Sequence, residues 1–285
     1  MQLFVTGAGG QLGHELIDAI RAAGHEAIAT THAQLDITDE EAVRVAISSA
    51  QPDVVIHAAA WTAVDACEGD VAKAMNVNGT ASQYVANAAH SIGARVVYIS
   101  TDYVFDGSKP TPYNEDDVPN PQSAYGASKL AGERAMSKDD AIVRISWVCG
   151  FHGANMVKTI LKLGATMPEL KFVNDQIGNP TFADDAAKAI VQIATSGLGG
   201  TWHVTNQGVV SWYEFAREVL LTAGMDVAKV KPISTSDLQP PRPAQRPANS
   251  VMHNGRMISE GFALLPDFRE PLARLVRRLL TETGE

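Results

Sequence analysis

The sequence has little cysteine, a deficit of positive charge and no zinc-type ligand pattern, and each absence excludes a class of protein. Cys67 and Cys149 are the only cysteines, and both stand in apolar surroundings, so we expect two buried reduced thiols rather than a disulfide. The 23 lysines and arginines against 32 aspartates and glutamates give a net charge of -9, which leaves no basic stripe for nucleic acid. No spacing of cysteine or histidine resembles a zinc site.

The sequence also lacks the segments that direct proteins to membranes. The N-terminal residues enter a predicted strand at once, without a signal peptide, and no apolar run reaches the roughly 18 residues of a membrane span. We therefore expect a cytoplasmic protein with no membrane partner. With 45% hydrophobic residues in 285, the chain can bury one large core or two small ones.

Short apolar runs alternate with helical periodicity through the first half of the chain. Thr38, with Glu41 three residues later, predicts the N-cap of one such helix, which runs through Ala50. The predicted strands are residues 2–6, 26–30, 53–58, 95–99 and 141–148. This alternation predicts an α/β fold, a doubly wound parallel Rossmann sheet whose ligand crevice lies at the C-terminal ends of the strands.

Beyond residue 150 the pattern loosens into short strands mixed with helices. We predict an NADP-binding Rossmann domain over residues 1–150, to which the chain returns near residues 175–197. A smaller mixed α/β substrate-binding domain is predicted over residues 151–285. Within it, residues 239–247 contain four prolines and cannot form regular structure, because proline lacks a backbone donor.

A glycine fingerprint follows the first predicted strand and opens the first helix. Gly7, Gly10 and Gly13 are spaced three apart, which lets backbone amides approach a pyrophosphate at the positive end of a helix. The third predicted strand ends in Ala58, Ala59 and Ala60, whose small side chains allow a flat cofactor to lie against the backbone. Together these segments predict dinucleotide binding.

The second predicted strand bears on the choice of cofactor. In NAD-dependent proteins an acidic residue at its end binds the ribose hydroxyls. Here Thr30, Thr31 and His32 hold that place, and no carboxylate comes before Asp36. We therefore predict NADPH, with NADH as the alternative. Asp36 and Ile37 are candidates to cover the adenine; the other interpretation of Asp36 is an ordinary turn residue.

Tyr125 and Lys129 lie four residues apart in the segment Tyr-Gly-Ala-Ser-Lys. On a helix they share one face, so their polar ends can meet beside a bound cofactor. An ammonium about 5 Å from a phenol would lower the pKa of the tyrosine from ~10 to roughly 8. Such a tyrosine can deliver a proton near neutral pH. Together with the glycine fingerprint, the pair predicts a reductase.

A hydroxyl at the end of the fourth predicted strand completes a triad. Ser100 and Thr101 stand where a hydroxyl can reach a ketone held between Tyr125 and a nicotinamide. This Ser/Thr-Tyr-Lys set resembles that of the extended short-chain dehydrogenase/reductases. The resemblance implies that Thr101, rather than Ser100, is catalytic together with Tyr125 and Lys129.

Five motifs follow one another in an order that narrows the resemblance. They are STDYVFDG at 100–107, SAYGASKLAGE at 123–133, RISWV at 144–148, DQIGNPT at 175–181 and RPANS at 246–250. This series resembles the dTDP-4-dehydrorhamnose reductase family over nearly the whole chain. The resemblance implies NADPH-dependent reduction of the C4 ketone of dTDP-4-dehydro-L-rhamnose to dTDP-L-rhamnose, with the proton from Tyr125.

The resemblance and the strand ends together give the predicted site residues. The predicted cofactor-binding residues are Gly7, Gly10, Gln11, Leu12, Gly13, Asp36, Ile37, Ala58, Ala59, Ala60, Tyr125 and Lys129. The predicted substrate-binding residues are Thr62, Val64, Thr101, Tyr103, Trp147, Arg246 and Asn249. Arg246 and Asn249 are candidates for the diphosphate or the base, or they belong to a solvated loop. Trp147 is a substrate contact or an ordinary core aromatic.

Some features stay open at this point. Trp61 stands where the family more often has Tyr, and His57 where it often has Asn. Family members can be homodimers bridged by Mg²⁺, but no matching ligands can be assigned, so no metal site is predicted. Two alternatives share the fold: a regulatory subunit that binds NADP without turnover, and a nucleotide-sugar epimerase or dehydratase that retains NAD.

Overall fold

A computed structural model of the chain describes residues 1–282, which are organised around one six-stranded sheet. The strands in chain order are β1 Gln2–Thr6, β2 Glu26–Thr30, β3 Val54–His57, β4 Arg95–Thr101, β5 Ala141–Ile145, β6 Val148–Cys149, β7 Leu170–Val173, β8 Ile177–Gly178, β9 Thr181–Phe182, β10 Gly200–His203, β11 Val210–Ser211 and β12 Val230–Ile233. The α-helices are α1 Gln11–Ala22, α2 Glu40–Ala50, α3 Val64–Gly69, α4 Val71–Ala74, α5 Ala81–Ser91, α6 Ala124–Glu133, α7 Met156–Thr166, α8 Ala183–Ser196, α9 Trp212–Thr222, α10 Gly255–Ser259 and α11 Arg269–Glu282. A π-helix, Met75–Thr80, connects α4 to α5.

The large sheet has the order β10-β5-β4-β3-β1-β2, and all its strand pairs are parallel. The chain leaves β1 toward β2 on one side and returns to place β3 on the other. The ends of β1 and β3 therefore flank a topological switch point, where open α/β sheets bind their ligands. The predicted fold class, a doubly wound parallel Rossmann sheet, is confirmed.

Helices cover both faces of the sheet, because its central strands are apolar on both sides. On one face α1 and α8 pack together over Leu3, Val5 and Val97. On the other, α2 and α5 pack over Phe4 and Val55. The sheet is thus a buried layer, and its polar chemistry is confined to the strand ends.

The predicted start of α2 is wrong by one residue. Asp39, not Thr38, is the N-cap, and its carboxylate accepts a hydrogen bond from Ala42 N at 3.0 Å. The Thr38 hydroxyl instead donates to Asp36 Oδ1 at 2.8 Å. Two adjacent capping residue types leave this choice to local backbone geometry, which residue spacing alone does not reveal.

A second apolar core lies in the later part of the chain. It joins α7, α9 and α11 through side chains such as Ile160, Phe215, Val219 and Leu272. The chain returns to the large sheet through α8 and then β10, which pairs with β5. This return extends beyond the predicted residues 175–197. The domain boundary at residue 150 stays a prediction, and residues 283–285 of the second predicted domain lie outside the described residues.

The cysteines and the lengths of the apolar helices can be compared with the sequence predictions. Cys67 and Cys149 are both buried free thiols, as predicted. Within residues 1–282, none of the helices combines the length and the apolar character needed to cross a membrane.

Candidate active site

The glycine fingerprint forms a tight connection between β1 and α1. Gly7 has φ +71°, and a Cβ there would lie 2.7 Å from Ala59 N, so the position requires glycine. Gly10 N donates to Gly7 O at 2.9 Å, and Gly10 is the N-cap of α1, with no side-chain cap hydrogen bond. Because Gly10 has no side chain, the N-cap supplies no acceptor to the first amides of α1, which suits the pyrophosphate of a dinucleotide.

Gln11 connects this loop to the later part of the chain. Its Nε2 donates to Val148 O at 3.0 Å, and its Oε1 accepts from Asn155 Nδ2 at 2.8 Å. Asn155 is also the N-cap of α7, where its Oδ1 accepts from Lys158 N. One amide in the first turn of α1 thus contacts both β6 and the start of α7.

A cleft of about 470 Å³ opens at the C-terminal ends of β1, β3 and β4. Most of the predicted site residues line this cleft: Gly7, Gly10, Gln11, Leu12, Gly13, Ala58, Ala60, Thr62, Val64, Thr101, Tyr103, Tyr125, Lys129 and Trp147. Residues separated by more than 100 positions in sequence are therefore brought to one surface.

Close packing of α6 on the end of β4 sets the position of the predicted triad. Ser123 is the N-cap of α6, and its hydroxyl accepts from Gly126 N at 3.1 Å. A Cβ on Gly126 would lie 2.1 Å from Tyr103 O, and one on Gly132 would lie 2.1 Å from Tyr98 Oη. The two glycines allow the helix to approach the strand end, and the approach places Tyr125 beside Thr101.

Thr101 and Tyr125 meet inside the cleft, at 6% and 8% exposure. An interaction with the Thr101 hydroxyl opposes part of the rise in the Tyr125 pKa that burial causes. The Thr101 hydroxyl also donates to Asp102 Oδ1 at 3.0 Å and accepts from Tyr103 N at 3.2 Å. The Tyr103 ring meets Tyr125 edge-on, with 5.5 Å between centroids. These contacts fix both hydroxyls at one end of the cleft.

Lys129 lies one helical turn after Tyr125 and is 2% exposed. Its Nζ stands 4.1 Å above the centroid of the Tyr98 ring, a cation–π contact. Burial lowers the pKa of Lys129 to about 7, and the nearby Glu133 carboxylate opposes that shift. Near neutral pH the Lys129 side chain is therefore a mixture of its protonated and neutral forms.

The expected lowering of the Tyr125 pKa by Lys129 is wrong for this chain. Burial raises the pKa of Tyr125 above its ordinary value, and the nearby Asp102 carboxylate adds to the rise. Two effects cancel the expected attraction: the phenol is removed from water, and the ammonium itself is depleted by the same burial. Tyr125 is therefore protonated at neutral pH, the form that a proton donor requires.

A second cleft, of about 320 Å³, adjoins the first at Tyr103. Arg246 lines it, together with Lys171 and Arg242. The Arg246 guanidinium is paired with Asp65, whose oxygens lie 2.5 and 2.7 Å from its two terminal nitrogens. Arginines suit phosphate, so this cleft has the character of an anion site.

Trp147 stands between the two clefts. Its φ of +47° is in the left-handed region, which non-glycine residues adopt at a cost. The indole stacks on Trp212 with 3.6 Å between centroids and an interplanar angle of 9°. Trp147 lines the first cleft and Trp212 the second, so the pair forms an aromatic wall between them.

Four predicted site residues line neither cleft. Asp36 accepts from Thr38 N and Oγ1, so the structure shows it as a turn residue; Ile37 is packed in the core. Ala59 N donates to Thr6 Oγ1 at 3.2 Å. Asn249 Nδ2 donates to Lys109 O, and its Oδ1 accepts from Val251 N. The ligand-binding roles assigned to these four residues stay predictions.

Two site residues were missed by sequence reasoning. Asp102 lines the first cleft and is 2% exposed. Within residues 1–282 its Oδ2 has no hydrogen-bond partner, and burial raises its pKa to about 6. Asp65 holds Arg246. The motif around residues 100–107 contains Asp102, so its place next to Thr101 was a usable signal. Nothing local marks Asp65.

Among residues 1–282, no group of three or more histidine, cysteine, aspartate or glutamate side chains is arranged to hold a metal ion. The nicotinamide cofactor is different, since the uncapped α1 start and the cleft match a dinucleotide. No Mg²⁺ site was predicted for this chain, and the homodimer stays a prediction.

Comparison with known proteins gives the same assignment along the whole chain. The family model "RmlD substrate binding domain" matches residues 1–281. The spore coat polysaccharide biosynthesis protein SpsK of Bacillus subtilis is 43% identical over 95% of this chain and 95% of its own length. A dTDP-4-dehydrorhamnose reductase of Burkholderia thailandensis is 39% identical over 99% of this chain and 100% of its own.

A solved structure agrees with these relatives. The crystal structure of dTDP-4-dehydrorhamnose reductase from Bacillus anthracis in complex with NADP is 37% identical to this chain, with a TM-score of 0.93. The match covers 97% of this chain and 99% of that one. The expected family is thereby confirmed: the chain belongs to the dTDP-4-dehydrorhamnose reductase family of oxidoreductases.

Proposed function

We propose that this protein reduces the C4 ketone of dTDP-4-dehydro-L-rhamnose to dTDP-L-rhamnose, using NADPH, in the cytoplasm. The observation that carries the proposal is the meeting of Thr101, Tyr125 and Lys129 in the cleft that begins at the glycine loop. Relatives named for this reaction, over the full length of the chain, support it.

The reaction needs a hydride at C4 and a proton at the ketone oxygen. The reduced nicotinamide supplies the hydride when bound. Tyr125, neutral because burial raises its pKa, donates the proton through its phenolic oxygen. Thr101 holds the ketone oxygen by a hydrogen bond, and the Lys129 ammonium stabilises the phenolate that remains. The alcohol at C4 and an ionised Tyr125 are the products of this step.

The two clefts would divide the substrate between them. The sugar would lie in the first cleft between Tyr125, Thr62, Val64 and Trp147. The diphosphate and base would extend past Tyr103 into the second cleft, toward Arg246. The aromatic wall of Trp147 and Trp212 would separate the sugar from the base.

NADPH is preferred in this proposal because β2 ends without a carboxylate. The first acidic residue after it, Asp36, is engaged with Thr38. Nothing at Thr30 or Thr31 repels a ribose phosphate, and the relative from Bacillus anthracis binds NADP. NADPH should therefore bind more tightly than NADH, as titration of nicotinamide fluorescence would measure.

The test is reduction of a dTDP-4-keto-6-deoxy sugar by the purified protein, followed as loss of nicotinamide absorbance. Tyr125→Phe is expected to cut turnover by roughly 10²-fold or more while leaving NADPH affinity nearly intact. Tyr84→Phe, at a half-buried tyrosine of α5, is the matched control. Unchanged absorbance with the wild-type chain would favour a binding subunit without turnover. Tightly retained NAD would favour an epimerase or dehydratase.

A further inference from the structure

The last residue of α6 continues the face on which Tyr125 and Lys129 lie. Glu133 follows Lys129 by four residues and is 5% exposed. Residues four apart on a helix are neighbours on its surface. We propose that Glu133 is a positioning residue: its carboxylate, fixed by Ser100 and Arg144, favours the protonated form of Lys129, one helical turn from Tyr125. The catalytic meaning of this proposal rests on the proposed function.

Two strands of the large sheet hold the Glu133 carboxylate in place. Ser100 Oγ, near the end of β4, donates to Glu133 Oε1 at 2.5 Å. Arg144, on β5, donates from Nε to Oε1 at 2.9 Å and from Nη2 to Oε2 at 2.7 Å. Arg144 is 3% exposed, so this bidentate pair is buried. Ser100 precedes Thr101 directly, which links the carboxylate to the catalytic strand end.

The surroundings of Lys129 explain why it needs an anion. Its Nζ stands over the Tyr98 ring, and in the part of the chain that the structure describes it donates no hydrogen bond. Burial alone lowers the pKa of Lys129, while Glu133 raises it. Because Arg144 already neutralises much of the Glu133 charge, the remaining attraction is modest. Lys129 is left close to half-protonated at neutral pH.

Other titratable groups near Lys129 do not supply that anion. His57 on β3 is buried, and burial together with Lys129 lowers its pKa to about 3, so it is neutral. The phenol of Tyr98 on β4 donates to Lys129 O and Asn78 O, and burial keeps its pKa well above the ordinary value. Asp102 acts on Tyr125, raising the pKa of that phenol. Glu133 is thus the anion that acts on Lys129.

The decisive measurement is the titration of Lys129 in the protein without substrate. In ¹³C-lysine-labelled protein the Cε resonance of Lys129, assigned by its absence in Lys129→Met, gives the midpoint by NMR. In Glu133→Gln we expect this midpoint to fall by about one pH unit, the size of one partly screened opposite charge. An unchanged midpoint in a folded Glu133→Gln protein overturns the proposal.

Asp140→Asn is the matched control. Asp140 is a buried carboxylate, 1% exposed, which accepts from Val96 N and Ser137 N at 2.7 Å and pairs with His90. It lies just before β5, at the N-terminal ends of the strands, whereas the cleft lies at their C-terminal ends. The Lys129 midpoint should therefore match the wild type in Asp140→Asn; a fall as large as in Glu133→Gln would contradict a specific role for Glu133.

A second variant keeps the test decisive if Glu133→Gln does not fold. The single change leaves Arg144 buried and unpaired, whereas the double variant Glu133→Gln/Arg144→Met removes both charges. We expect the Lys129 midpoint to fall in the double variant also. A midpoint equal to that of the wild type there would overturn the proposal.

The pH profile of kcat gives the catalytic readout. Lys129 must be protonated to stabilise the phenolate, so activity is lost as pH rises through its pKa. The alkaline limb should move to lower pH in Glu133→Gln and stay in place in Asp140→Asn. If the midpoint falls but the limb does not move, the positioning role is wrong. If the wild-type chain reduces no sugar, the proposed function fails, while the NMR midpoint still decides the charge relationship.

Discussion

Asp65 and Arg246 join the start of α3 to the Pro-rich segment, across 181 residues of sequence. Both carboxylate oxygens accept from the guanidinium, and Asp65 Oδ1 also accepts from Ala244 N at 3.2 Å. The hydrogen bonds from Arg246 lower the pKa of Asp65 to about 2. The guanidinium proposed for the diphosphate is therefore already paired with an anion of the chain itself.

This pair predicts that Asp65 competes with the diphosphate. Asp65→Asn removes one negative charge from the edge of the second cleft, and leaves Arg246 without its carboxylate. We expect the Kd for dTDP to fall by roughly three- to tenfold, since a partly exposed charge interaction contributes about 1 kcal/mol. Isothermal titration calorimetry with dTDP measures the change.

Asp53→Asn controls for net charge, because Asp53 lies just before β3, at the N-terminal ends of the strands and away from the clefts. It should leave the Kd for dTDP unchanged. Weaker dTDP binding in Asp65→Asn would show instead that the carboxylate orients Arg246 for the ligand.

The buried Lys129 should make the stability of the protein depend on pH. Its pKa is about 7 in the folded chain against an ordinary 10.5, so the unfolded chain binds more protons between these values. Stability from this group therefore rises with pH from 7 to 10.5, and the full penalty is present below pH 7. At pH 6, Lys129→Met should raise the free energy of unfolding in urea by about 2 kcal/mol. At pH 9.5 the increase should be much smaller. An equal gain at both values would indicate apolar packing alone.

His57 predicts sensitivity to acid. Its ring nitrogens contact Thr6 Oγ1 at 2.7 Å and Ser82 Oγ at 3.1 Å, and burial lowers its pKa to about 3 from 6.5. Stability from this group is complete above pH 6.5 and is lost as pH falls toward 3. Between pH 7 and pH 5, the free energy of unfolding of His57→Asn should therefore fall by about 2 kcal/mol less than that of the wild type. Chemical denaturation measures this, with exposed His32→Asn as the control; identical acid profiles would contradict the prediction.

Gly13 predicts a requirement for close helix–strand packing. A Cβ at this position would lie 2.2 Å from Gly7 O and 2.7 Å from Ala8 Cα, which are backbone atoms that cannot move aside. Gly13→Ala should displace the start of α1 and weaken NADPH binding at least about tenfold, an effect of roughly 1.4 kcal/mol. Gly69→Ala is the control, because none of the described residues lies within 4 Å of the added Cβ. Equal affinity in the two variants would refute the packing argument.

Local patterns predicted much of this molecule because they describe local physics. The strand-then-glycine context predicted the tight glycine loop between β1 and α1, and apolar periodicity predicted α1 with Leu16 and Ile20 buried. The rule that ligands bind at strand ends then brought Thr101 and Tyr125 to the same cleft. None of these inferences needs to know which distant segments touch.

The failures arise from distant contacts. The Tyr125 pKa depends on how deeply α6 packs against β4, and residue spacing does not report depth. The partner of Arg246 lies 181 residues away, and no pattern connects the two. Likewise, the side-chain amide of Asn249 donates to the carbonyls of residues 109 and 111, and sequence spacing does not reveal these contacts.

Gln11 has a practical consequence for changing the cofactor preference. Because its one amide holds both β6 and the cap of α7, an altered side chain there would disturb the proposed dinucleotide and sugar sites together. The Thr31 amide and hydroxyl both donate to the nearby Gln34 Oε1, and His32 is exposed. Attempts to exchange NADPH for NADH are therefore best made at this short segment after β2, where the nucleotide-sugar site would be left intact.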